Sequence, residues 1–261
     1  MSAQSLLRKK QYAGPGKLTA RQALWSYHTG PSWMDAALDT LEVGGGETVL
    51  DVGCGPGRWL AELRQRGHTG RLLGLDASPG MAAAAAGQSG AATVVADAVA
   101  LPVPDAGVDV ALAMHMLYHV PDLPAAVREL RRVLRRGGVL LAATNGSRHI
   151  AEIRAVMDEA ASRVLGEPRH FTSSFTLENG AEVLGACFDR VERQDHPATV
   201  FVPTAGPVQA YIASFGPELA GLPDPDAWDE FLVAAGELVG ARVERYGRFA
   251  VSAHPGYFVC S

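Results

Sequence analysis

The segment Thr48-Val-Leu-Asp-Val-Gly-Cys-Gly-Pro-Gly57 places one acid, Asp51, inside an apolar run that ends in three alternate glycines, Gly53, Gly55 and Gly57. Glycines in such a turn let a ligand touch the backbone, and open parallel sheets bind ligands outside the carboxyl ends of their strands. The spacing predicts a cofactor loop. One reading is a dinucleotide fingerprint, whose third glycine packs a helix closely while the helix start holds a pyrophosphate. Here that third position is Arg58. Asp51 also sets a sign, because a carboxylate repels phosphate and favours a cation.

Further acids and histidines follow at the ends of later apolar runs. Asp76 closes Leu72-Leu-Gly-Leu-Asp76, and Asp97-Ala98 follows a third run. His115 and His119 come directly after Val108 to Met114 and, four apart, are expected on one helix face at the edge of the site. Either is a candidate general base, with local hydrogen bonding or packing as the competing reading. Tyr118 between them reads as a pocket wall. An HxxxH pair without a neighbouring carboxylate ligand gives no metal site. Cys54 reads as the small residue that the turn requires, since no base is spaced to make it a thiolate.

The elements that must carry these residues alternate in type. Strands are expected near 48–53, 71–76, 93–97, 108–114 and 138–144, and helices near 56–66, 79–87 and 122–135. That order implies a parallel sheet with right-handed crossovers. Residues 17–41 read as a helical arm broken at Gly30-Pro31, and a helix is expected over 150–165, with a shorter one over 177–185. A sixth strand is expected over 190–202 with a break at Pro197, a helical stretch over 205–247, and a last strand over 257–260. The resulting division is an arm (1–44), an α/β core (45–204), a helical insertion acting as a lid over one end of the sheet (205–248), and a last core strand (249–261).

Composition bounds the class. The 261 residues are 48% hydrophobic and 20% charged, which suits a globular chain with a sizeable core and excludes disorder. A formal charge of -5 lacks the positive field of sequence-independent nucleic-acid binding. No apolar stretch approaches the ~20 residues of a membrane span. The basic start is not followed by an apolar targeting segment, and the three cysteines share no CxxC spacing, so a cytoplasmic protein with free thiols is expected.

The run Val49 to Gly57 resembles motif I of the class I S-adenosylmethionine-dependent methyltransferases, and the landmarks downstream keep the family's order. S-adenosylmethionine carries a sulfonium and an ammonium and no phosphate, in agreement with the sign set by Asp51. The resemblance implies that Asp76 accepts both ribose hydroxyls. It further implies that Asp76-Ala-Ser-Pro-Gly-Met81 is the family's DxSxxM continuation with Met81 near the adenine, and that Asp97-Ala98 binds the adenine amine. The closest likeness is to ubiquinone- and menaquinone-biosynthesis enzymes and secondary-metabolite enzymes. Its implied fold is a Rossmann-like, doubly wound α/β sheet of seven strands, the last antiparallel, with a helical arm and a helical lid. The cofactor set is then Asp51, Gly53, Cys54, Gly55, Asp76, Ala77, Met81, Asp97, Ala98 and Met114, and S-adenosylhomocysteine is the product.

Outside the motifs, Tyr12 and Arg21 are candidates to close over the methionyl carboxylate, since an Arg fork suits that group. The alternative is a solvated helix residue. Trp25, His28, Tyr118, His149 and Tyr211 are candidates for the acceptor pocket, with core packing as the rival for the arm aromatics. Arg148 and His170 are candidates by position alone. The basic run Arg128, Arg131, Arg132, Arg135 and Arg136 suits a helix C-terminus as well as it suits RNA. The expectation is methyl transfer to O, N or C of a small metabolite in secondary metabolism, by a monomer or homodimer without nucleic-acid or membrane partners. A cyclase using the same donor, a scaffold subunit and a nicotinamide enzyme are the alternatives.

Overall fold

The computed structural model describes residues 16–41, 44–167, 173–222 and 224–261. Seven strands form one sheet: β1 (Val49–Val52), β2 (Leu72–Asp76), β3 (Ala92–Val95), β4 (Val108–Met114), β5 (Leu134–Asn145), β6 (Val191–Asp195) and β9 (Pro255–Cys260). Their order is β3-β2-β1-β4-β5-β9-β6. Only β9 runs against its neighbours, pairing antiparallel with β5 and β6. From β1 the chain moves outward to β2 and β3, then returns to lay β4 on the other side of β1. The β1/β4 boundary is therefore the switch point, where the carboxyl ends of adjacent strands part and leave a crevice.

The central strands β1, β4 and β9 form where the sequence is apolar on both faces, as burial between two layers requires, whereas the edge strands β3 and β6 are largely exposed. Leu50, Val52, Ala111, Ala113, Leu130 and Phe258 belong to one apolar layer, and Val49, Leu60, Leu112, Met114, Leu141 and Tyr257 to the other. Alternation along β1 turns Asp51 toward the second layer. The helices begin at recognisable signals. α3 (Arg58–Gln65) follows the glycine turn. α4 (Pro79–Ser89) starts at Ser78, whose hydroxyl accepts from the Met81 N–H, and ends at left-handed Gly90. α5 (Leu123–Val133) is capped by Asp122, which accepts from Ala125 N–H at 2.9 Å. The arm gives α1 (Gly16–Trp25) and α2 (Trp33–Asp39), on either side of Gly30-Pro31.

The chain divides into two compact units, and the larger holds residues 31–147, 173–196 and 255–261, including the seven-stranded sheet. The smaller, residues 1–30, 148–172 and 197–254, has its own core. There α6 (Ala151–Leu165), α8 (Ala205–Ala213), α9 (Gly216–Leu219), α10 (Pro225–Tyr246) and a two-stranded sheet of β7 (Ala198–Val202) and β8 (Phe249–Ala253) bury Ile153, Met157, Ile212, Phe231 and Phe249. The single strand expected over 190–202 is thus two strands in two sheets. Pro197, which has no N–H to donate, stands between them. The strand expected at 257–260 begins at Pro255, and the segment 249–261 assigned to one last core strand also holds β8, which pairs with β7 in the smaller sheet. α7 (Gly180–Gly185) is shorter than expected. Among the described residues no helix is long and apolar enough to cross a membrane.

Candidate functional site

The glycine turn after β1 is tied to β2 by its backbone. Gly53 and Cys54 both donate to the Leu75 carbonyl, at 2.6 and 3.0 Å, and the Gly55 N–H donates to Asp76 Oδ2 at 2.9 Å. Asp76 Oδ1 accepts from Ser78 N–H at 2.8 Å. A carboxylate has about four acceptor directions, so the two that remain match the two hydroxyls of a ribose. Gly53 and Gly55 both have positive φ, +69° and +54°. Around Gly53 the turn is crowded, because a Cβ there would lie 2.7 Å from Met116 Cβ. Around Gly55 it is open, with nothing among the described residues within 4 Å of a Cβ. The turn thus presents its backbone to free space at Gly55, as a loop that cradles a ligand requires.

Asp51 is 0% exposed, and neither of its oxygens has a hydrogen-bond partner among the described residues. Burial, reinforced by the nearby charge of Asp76, holds its pKa well above the ordinary carboxylate range. Burial therefore works against the ion assumed from sequence. Cys54 is buried beside it, and desolvation with the two acids pushes its thiol far up, in keeping with an inert residue of the turn. Ala77 is exposed directly after β2, whereas Met81 is 2% exposed inside α4. Asp97 is exposed and accepts from Val99 N–H at 3.3 Å, and Ala98 is buried in the core. Met114 is buried at the end of β4.

His115 and His119 do not share a helix face. His115 turns the chain at φ +56°, and His119 ends a single 3-10 turn, Leu117–His119. A left-handed non-glycine residue at the end of a central strand is strained, and such strain concentrates at sites where geometry matters. The His115 ring meets Trp33 edge-on, with centroids 5.2 Å apart, and Trp33 meets Trp59 at 5.4 Å. Tyr118 lies 6.5 Å from His115 and 4.5 Å from His119. Desolvation lowers the His115 pKa to about 4, so its ring is neutral at physiological pH. Trp33 was read from sequence as a possible wall of the acceptor cavity, with core packing as the rival, whereas Met116 and Ser78 carry weight that the sequence reading gave them little of. The Ser-Pro start of α4 signals Ser78, but nothing local announces Met116 or the Trp33–His115 contact.

Other candidates fall in the smaller unit. Arg21 Nε donates to Ser214 Oγ at 3.0 Å, a second guanidinium nitrogen donates to the Ser214 carbonyl at 3.3 Å, and the group lies 4.9 Å from the Phe215 ring centre. Trp25 stacks on His149 at 5.1 Å and meets Tyr211 edge-on at 6.1 Å. His149 Nδ1 accepts from the His254 N–H, and His28 lies against Gly30. Arg148 is exposed. Tyr12 and His170 lie outside the described residues. In the basic run, Arg132 binds Glu129, Asp105 and the carbonyls of Leu101 and Val103, and Arg135 binds Asp109. Arg135 and Arg136 stand on β5, beyond the helix end where the sequence reading placed them.

Comparison with known proteins locates these features in a family. Residues 50–142 match the methyltransferase domain family. The malonyl-[acyl-carrier protein] O-methyltransferase of Serratia marcescens is 36% identical over 133 residues, 51% of this chain and 49% of that one. The demethylmenaquinone methyltransferase of Staphylococcus saprophyticus is 30% identical over 131 residues, 48% and 56% of the two chains. The chain thus spans about half the length of these relatives. Among solved structures, a Haemonchus contortus phosphoethanolamine N-methyltransferase bound to S-adenosylhomocysteine superposes with a TM-score of 0.58 at 17% identity. That match covers 100% of this chain and 60% of the other, and supports the fold.

Proposed function

We propose that this chain, whose residues 50–142 match the methyltransferase domain family, is a class I S-adenosylmethionine-dependent methyltransferase that moves a methyl group from S-adenosylmethionine to a small-molecule acceptor. The observation that carries the reading is Asp76, fixed by the N–H groups of Gly55 and Ser78 at the carboxyl end of β2 with two acceptor directions to spare. The open face of Gly55 leaves room beside it, and the orphaned Asp51 carboxyl beneath the turn suits a ligand of positive charge. When bound, the donor supplies an electrophilic methyl on a cationic sulfur.

The chain's own residues then have defined tasks. Asp76 would hold the ribose hydroxyls through charge-assisted hydrogen bonds, about twice as strong as neutral ones. Asp97 and the backbone around Ala98 would border the base. Positioning alone can contribute ~7 to 11 kcal/mol when two reactants are held in line. His115, neutral and with a pKa of about 4, offers a hydrogen-bond acceptor but little driving force for taking a proton. An acceptor whose own nucleophile ionises readily, such as a phenol, an enol or a carboxylic acid, suits this site better than an unactivated alcohol. The Trp33, His115 and Tyr118 rings offer it an apolar wall.

Calorimetric titration with S-adenosylmethionine and S-adenosylhomocysteine is the direct test. Micromolar binding of both is expected, and the absence of binding overturns the reading. Incubation of a metabolite extract with isotope-labelled donor then identifies the acceptor by the added methyl.

A further inference from the structure

Asp51 is the least expected group in the larger unit. It lies at the third position of a four-residue central strand, is fully buried, and neither oxygen meets a donor among the described residues. Among the described residues no salt bridge relieves it. An isolated carboxylate taken out of water is costly enough that a protein commonly answers by keeping the proton on it.

Among the described residues, the groups around it offer no positive charge in compensation. On β2, the facing titratable group is Asp76, whose like charge opposes ionisation. In the turn it is the Cys54 thiol, which burial holds in the protonated form. Past the end of β4 it is His115, kept neutral by burial, while Asp109 at the start of that strand is engaged by Thr48 and Arg135. α2 and α3 share the apolar layer with Val49. Their charged groups Asp35, Asp39 and Glu62 are bound to Arg66. On α3, Arg58 is exposed and Arg64 donates to the His68 and Gly70 carbonyls. Asp51 is therefore a buried carboxyl group without, among the described residues, a cation that would ionise it.

We propose that Asp51 is a charge sensor, held as the neutral acid in the ligand-free protein and releasing its proton to solvent when a cation enters the glycine turn. This rests on the donor assignment above, since S-adenosylmethionine would bring that cation. The ligand's charge replaces the proton's charge, so net charge in the buried layer is conserved. When the cation leaves, the acid takes a proton back.

Two measurements test it. Difference infrared spectroscopy of the ligand-free protein at neutral pH, wild type against Asp51→Asn, is expected to show a protonated-carboxyl C=O band that the variant lacks. Its absence overturns the proposal whatever the protein binds. Titration with S-adenosylmethionine by calorimetry, in buffers of different ionisation heat, is then expected to show net proton release approaching one per ligand in the wild type and none in Asp51→Asn. Heat of binding with equal proton release in both proteins overturns the sensor alone. No binding heat in the wild type overturns the donor reading and the sensor with it.

Discussion

The Gly55 N–H donates to Asp76 Oδ2 at 2.9 Å, so the turn after β1 and the acid ending β2 are one construction. That bond orients the carboxylate before any ligand arrives and leaves its remaining lone pairs pointed elsewhere. Asp76→Ala is expected to weaken S-adenosylmethionine binding by roughly 2 to 4 kcal/mol, as two hydroxyls lose a charged acceptor. Asp76→Asn is expected to lose less, because one oxygen remains. Calorimetry on both variants, with circular dichroism as the check on folding, decides the point. Unchanged affinity would mean the ribose lies elsewhere.

The two turn glycines are expected to separate stability from binding. A left-handed alanine costs roughly 1–2 kcal/mol at either position. Gly53→Ala must also displace Met116, whose Cβ lies 2.7 Å from the new methyl, and overpacking of this kind adds about 1–3 kcal/mol. Gly55→Ala meets no atom of the described residues within 4 Å, so its methyl projects into the proposed ligand space. Thermal melts should therefore rank Gly53→Ala as the less stable, with partial recovery on adding Met116→Ala. Binding should be lost in Gly55→Ala while its fold persists. Equal losses of stability would remove Met116 from the argument.

Much of this site was written in local sequence. The apolar run before Gly53, the acid at Asp76 and the Ser78-Pro79 helix start each follow from short-range rules, and the structure places them together at one end of the sheet. Long-range consequences were less legible. His115 and His119 fit a helical spacing, but the strand end imposes a left-handed turn on His115 that no spacing rule reports. The division at Pro197 reads as a break within a strand, whereas it sends β6 and β7 into different sheets. Asp51 was legible as an acid, but its protonation state depends on burial that only the folded sheet creates.

His115 makes stability depend on pH with a definite sign. Its pKa falls from 6.5 to about 4 on folding, so the unfolded chain binds the proton more readily. The stabilisation is complete above pH 6.5 and is lost as the pH falls through the range down to about 4. The full difference is at most roughly 3 kcal/mol, less whatever solvent screens at a partly exposed ring. His115→Asn keeps a residue that tolerates positive φ and removes the titration. Chemical denaturation above and below that window should show a steeper acid loss in the wild type than in the variant. Parallel curves would place the titrating group elsewhere.

Arg132 is expected to be structural. It binds the Glu129 carboxylate, Asp105 and the carbonyls of Leu101 and Val103, while Glu129 also accepts from Leu101 N–H at 2.7 Å. The pair therefore fastens the loop after β3 to α5. Arg132→Met keeps the side-chain bulk but leaves these acceptors without their donor, at a cost of about 1–3 kcal/mol. Because Arg132 and Glu129 act together, the double variant with Glu129→Gln should fall short of the sum of the two single losses by about 0.5–3 kcal/mol. S-adenosylmethionine affinity should be unchanged in all three variants. Strict additivity, or a loss of nucleic-acid binding specific to Arg132→Met, would instead favour a free basic surface.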